Sequence, residues 1–266
     1  MVMSPAPPIA LYISPDVPKD MVSTTNTLLS DLVKTETLQG FPFLLFLGPE
    51  NLSLLSFNEK QQQNGRLLID FLSNKSRKRM ARAGKRELLI KAVSIGNRLP
   101  KMVLDATAGM GGDGFLLAAA GCTVTLCEQN RYMAALLEDG LRRAARDADM
   151  KKVCENIRLL PVDAKKYIQK VKESPEIIYL DPMFPPRSKS ARVKHELALL
   201  QKLVGHSEDD TARLFAASWA RLPKKIVVKR PVKSPPLCSV RPEYSLKGNT
   251  IRFDVYTPPS MVPPSL

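Results

Sequence analysis

From Pro100 onward, short apolar runs alternate with segments of helical periodicity. Lys101 to Leu104, Thr123 to Cys127, Ile157 to Leu160, Ile177 to Leu180 and Ile226 to Val228 have the length and composition of strands. Between them, Phe115 to Ala120, Tyr132 to Ala145, Lys165 to Val171, Val193 to Val204 and Asp210 to Leu222 space their apolar residues along one helix face. Strands separated by helix-length segments mark βαβ units, and they predict an α/β protein with a Rossmann-like, mostly parallel, doubly wound sheet. A last strand, Thr250 to Tyr256, alternates Ile251, Phe253 and Val255 with Arg252, Asp254 and Tyr256, which predicts an antiparallel edge strand.

The start of the chain has a different texture. It is rich in proline, poor in basic residues, and carries short apolar runs at Ile9 to Ile13, Phe43 to Leu47 and Leu52 to Leu55. These predict a small N-terminal lobe of short strands over 1–65, ahead of a larger domain over 66–260. The stretch Asn74 to Arg86 holds seven basic residues and no acid, and reads as a linker or lobe boundary. No internal repeat is evident.

Composition narrows the class. The 266 residues carry 40 Lys plus Arg against 26 Asp plus Glu, a net charge of +14, with 44% hydrophobic and 25% charged residues. That balance fits a globular core and excludes a largely disordered chain. The longest apolar stretch, Phe41 to Leu47, is far short of the roughly 20 residues that cross a bilayer. The N-terminus has no basic region ahead of a long apolar one, so a cytoplasmic protein is expected. Cys122, Cys127, Cys154 and Cys238 form no C-x-x-C pair and only His195 and His206 could join them, so neither a metal site nor a disulfide framework is expected. The positive charge suggests a polyanionic partner, or simply a solubilising surface.

Candidate chemistry gathers at the strand ends. The first strand runs out at Asp105 into a turn containing Gly109, Gly111, Gly112 and Gly114, followed by a helix. Glycines there let the backbone approach a ligand at the carboxyl edge of the sheet. Asp105 suits a cationic ligand or a bound water, and equally a turn-stabilising role. Glu128 follows the second strand, where an acid can accept both ribose hydroxyls or sit as a helix N-terminal charge. Asp163 follows the third, where it can take the exocyclic amine of adenine or cap a helix. Three such acids fit an adenosine ligand without a pyrophosphate. The word GMGGDG also satisfies G-x-G-x-x-G, so the turn alone leaves NAD or FAD open.

The fourth strand separates these readings. It ends in DPMFPPRSK, where Asp181, Pro182, Met183, Phe184 and Pro185 make a stiff corner, because each proline fixes its own φ and Pro182 restrains Asp181. The corner resembles the D/N-P-P-Y/F loop of S-adenosylmethionine-dependent amino methyltransferases, with Met183 in place of the second proline. An exocyclic amine on a base is a poor nucleophile. Asp181 and the Pro182 carbonyl can accept its two N–H bonds and aim the nitrogen, and Phe184 can stack on the base. Methylation at a pyrimidine carbon would want a cysteine nucleophile, and the loop has none.

Taken together, DATAGMGGDGF, YLDPMFPPRSKSA and VVKRP resemble the bacterial 16S rRNA (guanine-N2)-methyltransferase J family, from about Leu67 to Tyr256. The resemblance implies a class I methyltransferase fold for the larger domain, S-adenosyl-L-methionine as cofactor, and N2-methylguanine in small-subunit rRNA as product. It places cofactor contacts on Gly112, Asp113, Glu128, Gln129, Asp163, Ala164 and Asp181, with Asp181 where cofactor and substrate meet. This chain departs from the family in having Gly112 where an arginine is usual, and Asp163 and Ala164 where a pair of small hydroxyl residues is usual. The family's glycine-containing basic segment is matched only loosely, by Arg82 to Glu87.

Basic residues cluster at Lys75 to Arg86, at Arg187, Lys189, Arg192 and Lys194, and around the fifth strand at Lys224, Lys225, Lys229, Arg230 and Lys233. The last two groups are expected near the active-site edge, with Arg187, Lys189, Arg192, Lys194, Lys229 and Arg230 gripping phosphates of 16S rRNA or the small subunit. A protein or small-molecule N-methyltransferase would share the cofactor constellation without needing that charge. An idle RNA-binding module would keep the charge without the corner.

Overall fold

A computed structural model describes residues 9–81, 87–182 and 208–258. They form two compact units that are not consecutive in the chain: residues 9–70 with 130–143, and residues 71–81, 87–129, 144–182 and 208–258.

The first unit contains β1 (Ile9–Ile13), α1 (Lys19–Leu29), β2 (Val33–Thr35), β3 (Phe43–Leu47), β4 (Leu52–Phe57) and β5 (Gln63–Leu67). Its sheet has the order β2-β1-β3-β4-β5. β1 is parallel to β2 and β3, and β3, β4 and β5 form an antiparallel meander. The apolar runs predicted as strands are β1, β3 and β4. Helix α1 is absent from the sequence reading, because its Ser- and Thr-rich stretch buries only a few apolar residues, Met21 and Leu29 among them. A parallel β1–β2 pair nevertheless needs a crossover, and α1 supplies it. Helix α5 (Arg131–Ala144) also belongs here: Arg131 pairs with Asp31, and Arg143 donates to the Ile69 carbonyl. Gly140 lies so close that a Cβ would meet Ile69 O at 2.9 Å.

The second unit contains α2 (Asn74–Ala81), α3 (Leu88–Val93), β6 (Met102–Asp105), α4 (Gly112–Ala119), β7 (Thr123–Cys127), α6 (Ala148–Glu155), β8 (Ile157–Leu160), α7 (Ala164–Lys170) and β9 (Ile177–Leu180). It continues with α8 (Glu208–Ala220), β10 (Lys225–Pro231), β11 (Tyr244–Lys247) and β12 (Ile251–Tyr256). The sheet order is β11-β12-β10-β9-β6-β7-β8. β8, β7, β6, β9 and β10 are parallel, and β12 is antiparallel to both its neighbours. The chain moves outward from β6 through β7 to β8, then returns to β9 on the other side of β6. The crevice at the carboxyl ends of β6 and β9 is therefore the topological switch point, where sheets of this kind bind ligands.

The predicted strands and helices recur here with small changes of boundary, apart from Val193 to Val204, which lies outside the described residues. Strand β12 is antiparallel as expected but is not an edge strand, since β11 covers it. Its polar positions look wet in sequence, yet Arg252 and Asp254 are buried and ion-paired, so both faces are inside. The basic stretch read as a linker is in part helix α2, whose Arg77 pairs with Asp147 at 2.6 Å. Asp147 in turn caps α6, accepting from the amides of Asp149 and Met150.

Leu104, Ile178, Leu180, Ile226 and Val228 from the sheet pack with Phe215 of α8 and Tyr256 of β12 in one buried core. The Phe215 and Tyr256 rings meet edge to face with centroids 5.0 Å apart, and Trp219 packs against the same core. Among the described residues no helix is long and apolar enough to cross a membrane.

Candidate active site

The turn after β6 is laced to both neighbouring strands. The Ala106 amide donates to the Tyr179 carbonyl at 3.0 Å and the Ala108 amide to the Cys127 carbonyl at 3.1 Å. Gly109 (φ 51°) and Gly111 (φ 72°) are left-handed, the conformation that side chains disfavour, and Gly111 leads directly into α4. A Cβ on Gly114 would strike Leu126 Cδ2 at 2.3 Å, so glycine there lets α4 lie against β7.

The three expected acids stand at the carboxyl ends of adjacent strands. Asp105 is buried and accepts the Thr107 amide at 3.1 Å. Burial pushes its carboxyl up to about 8, with Asp113 and Asp181 adding to the rise against the Thr107 bond and Lys229. Glu128 is also buried, and its Oε2 accepts the Gly109 amide at 2.9 Å, which ties the acid after β7 to the glycine turn. Gln129 beside it is exposed. Asp163 caps α7 by accepting the Lys165 amide at 2.9 Å, and Ala164 is buried at the first position of that helix. The capping alternative for Asp163 is thus realised in the structure.

Across the switch point, Asp181 follows β9. Its amide donates to Thr107 Oγ1 at 2.6 Å, and its carboxylate accepts Lys229 Nζ at 2.7 Å; Pro182 is buried. Lys229 also reaches Asp113 at 2.8 Å. Asp113, in the first turn of α4, accepts further bonds from Tyr179 Oη at 2.6 Å and from Arg79 of α2. Burial alone would raise the Asp113 carboxyl, but the Lys229 ammonium and the Arg79 guanidinium hold it well below the usual carboxylate range. The same two acids, Asp181 and Asp113, keep Lys229 protonated against its own burial.

This geometry corrects the reading of the third basic cluster. Lys229 is engaged by two carboxylates, and Arg230 is buried with its guanidinium on the Pro235 carbonyl at 2.7 Å, so neither lies open to a phosphate. Lys224 and Lys225 lie at the opposite edge, at the amino end of β10, where Lys224 pairs with Glu176. Met183, Phe184, Arg187, Lys189, Arg192 and Lys194 lie outside the described residues. The sequence reading passes over Thr107, Tyr179 and Arg79. Thr107 and Tyr179 each stand two residues from a strand-end aspartate, a position that could have flagged them; Arg79 has no local signal.

The donor set discriminates among cofactors. A dinucleotide fold seats its pyrophosphate at the N-terminus of the helix after the glycine turn, but here that first turn carries Asp113, an acceptor engaged by Lys229 and Arg79. Acceptors at the ends of β6, β7 and β8 instead suit hydroxyls, amines and a cationic ligand. A seven-stranded sheet of this order, with an acid at the carboxyl end of each of β6, β7 and β8, is the framework of a class I S-adenosylmethionine-dependent methyltransferase.

A family model for SAM-dependent methyltransferases (SAM_MT) matches residues 29–258. The ribosomal RNA small subunit methyltransferase J of Thioalkalivibrio sulfidiphilus is 42% identical over 220 residues, 82% of this chain and 85% of that protein. Its counterpart from Pseudomonas paraeruginosa is 42% identical over 216 residues, 80% of this chain and 82% of that protein. The crystal structure of a SAM-dependent methyltransferase from Neisseria gonorrhoeae matches with a TM-score of 0.75 at 30% identity, covering 94% of this chain and 96% of that one. The chain belongs to the ribosomal RNA small subunit methyltransferase J family, and its cofactor is S-adenosylmethionine. Among the described residues no group of three or more His, Cys, Asp or Glu side chains is arranged to hold a metal ion.

Proposed function

We propose that this chain methylates the exocyclic N2 of one guanine in the 16S rRNA of the small ribosomal subunit, in the cytoplasm, with Asp181 and the Pro182 carbonyl presenting the amine. The observation that carries the reading is the Asp181–Pro182 corner at the switch point. Its aspartate is held at the backbone by Thr107 and at the carboxylate by Lys229.

When bound, S-adenosylmethionine supplies a methyl group on a sulfonium, an electrophile that rewards a well-aimed lone pair. The guanine amine delocalises its lone pair into the ring. Asp181 and the Pro182 carbonyl accept its two N–H bonds and fix the nitrogen for in-line attack, a gain of orientation. Glu128, tied to the glycine turn, accepts the ribose hydroxyls, and Asp163 accepts the adenine amine. Asp105, Gly109, Gly111, Gly112, Asp113, Gln129 and Ala164 complete the cofactor cradle. Met183 and Phe184 follow Pro182 in the chain, and stacking on the base is assigned to the Phe184 ring. The relatives' name points to small-subunit rRNA, and the net charge of +14 suits a polyanion. Phosphate contacts are assigned to Arg187, Lys189, Arg192 and Lys194, which follow the corner in the chain.

The test is incubation with methyl-labelled S-adenosylmethionine and small subunits lacking the modification, followed by nucleoside mass spectrometry and site mapping. N2-methylguanosine at one site is the expected result. Absence of label in RNA despite tight cofactor binding would overturn the proposal in favour of a protein or small-molecule amine.

A further inference from the structure

We infer that Lys229 is a positioning residue of the active site: its ammonium, held between Asp113 and Asp181, fixes the Asp181 carboxylate where the substrate amine is received. The inference rests on the reading of Asp181 given above and adds the residue through which that carboxylate is held.

Lys229 lies one position beyond Val228, the β10 residue paired with Leu180 of β9, so the strand register sets Lys229 beside Asp181. Its Nζ reaches Asp181 Oδ2 at 2.7 Å and Asp113 Oδ2 at 2.8 Å, which uses two of its three donors. A lysine held between two carboxylates offers little to a phosphate, since two of its three donors are already taken. It does make a rigid strut. Asp113 is itself fixed by Tyr179 Oη and by Arg79, so the Arg79–Asp113–Lys229–Asp181 chain of alternating charge runs from α2 through α4 and β10 to the corner after β9.

The strut also sets the charge on Asp181. Burial pushes the Asp181 carboxyl up, and Asp113 of α4 adds to the rise; Lys229 of β10 is the chief opposing influence, followed by Arg79 of α2. Asp105 of β6 and Tyr179 of β9 are the other titratable groups beside it, and both are fully interior. Without the ammonium, two carboxylates share the space it bridged, and Asp181 protonates at higher pH and loses an acceptor for the amine.

The test compares Lys229→Met, Lys229→Arg and Asp181→Ala in single turnovers at saturating cofactor and RNA, with melting curves as the check on folding. Lys229→Met is expected to slow methyl transfer about 100-fold, the scale of a misplaced reacting group. It is also expected to move the acid limb of the pH–rate profile upward. Lys229→Arg should recover most of the rate, while RNA affinity, its salt dependence and cofactor affinity stay near the parent's. If the Met variant does not fold, Lys229→Gln, which keeps a donor without the charge, is expected to show the same slow rate and shifted limb. An unchanged single-turnover rate with weaker RNA binding and a salt slope smaller by about one would make Lys229 a phosphate contact and overturn the inference. Tighter cofactor binding in Lys229→Met would overturn it too, by making the ammonium a competitor of the cofactor. Full activity in Asp181→Ala removes the reading of Asp181 and this inference with it. An inactive Asp181→Ala beside a fully active Lys229→Met removes the inference alone.

Discussion

The amide of Asp181 donates to the hydroxyl of Thr107 across 2.6 Å, so the first residue of the corner after β9 is tied to the turn that follows β6. Two loops from adjacent strands are thus joined by a direct hydrogen bond. Thr107→Val keeps the shape but leaves the Asp181 amide without its partner, at a cost of about 1–3 kcal/mol. Urea unfolding is expected to show that loss, and single turnovers at saturating substrate a slower transfer, while Thr107→Ser stays close to the parent in both. A destabilised Thr107→Val with an undiminished rate would confine the tie to folding.

Asp105 gives the fold a pH dependence whose sign follows from its carboxyl being pushed up to about 8 by burial. In the unfolded chain an aspartate titrates near 3.9, roughly. Between these values the folded protein keeps a proton that the unfolded chain releases, so this group's contribution is complete below about pH 4 and is lost as pH rises through about 8. Asp105→Asn abolishes the titration and keeps an acceptor for the Thr107 amide. Unfolding free energies from urea titrations should therefore fall further between pH 5 and pH 8 for the parent than for the variant, by on the order of 1 kcal/mol per pH unit. Equal falls in the two proteins would mean that Asp105 is ionised throughout.

Glu128 is held by the Gly109 amide at 2.9 Å, which turns the acid after β7 toward the glycine turn rather than out to water. With its carboxylate assigned to the ribose hydroxyls, Glu128→Gln weakens a charge-assisted bond, worth about 1.5–3 kcal/mol. Calorimetry is expected to find cofactor affinity down by roughly 10- to 100-fold, with the melting temperature of the free protein changed little. Parent-like affinity would take Glu128 out of the cofactor site.

The parts of this architecture that are legible in sequence are those set by local physics. β6, β7 and β9 read as apolar runs because most of their residues are buried, β8 reads as one although it is the half-buried edge strand, and Asp105, Glu128 and Asp181 stand out because each is the first acid past such a run. What stays hidden depends on partners far along the chain. Charge alone does not distinguish a lysine that meets phosphate from Lys229, whose carboxylate partner is 48 positions away, and nothing near Arg79 announces Asp113, 34 positions on. The membership of α5 in the first unit rests on pairs such as Arg131 with Asp31, 100 residues apart. Strand β12 misleads for a related reason: its alternation is real, but the polar side is satisfied inside the protein.

That buried polar side has a consequence for the loop beyond Lys229. Arg252 makes a two-pronged pair with Asp254, at 2.8 and 2.9 Å, and its Nη1 donates to the carbonyls of Pro231, Val232 and Ser234 at 2.7–2.9 Å. The guanidinium thus clamps the chain as it leaves β10, close behind the residue that holds Asp181. Arg252→Met leaves the buried Asp254 with the Ser245 hydroxyl but without its paired guanidinium and frees three carbonyls, and is expected to cost about 3–5 kcal/mol in thermal or urea unfolding. Adding Asp254→Leu removes the orphaned charge and should restore much of that stability. It does not replace the clamp, so methyl transfer should remain slow in the refolded double variant. Recovery of rate together with stability would show instead that the Pro231–Ser234 loop needs no clamp to serve the site.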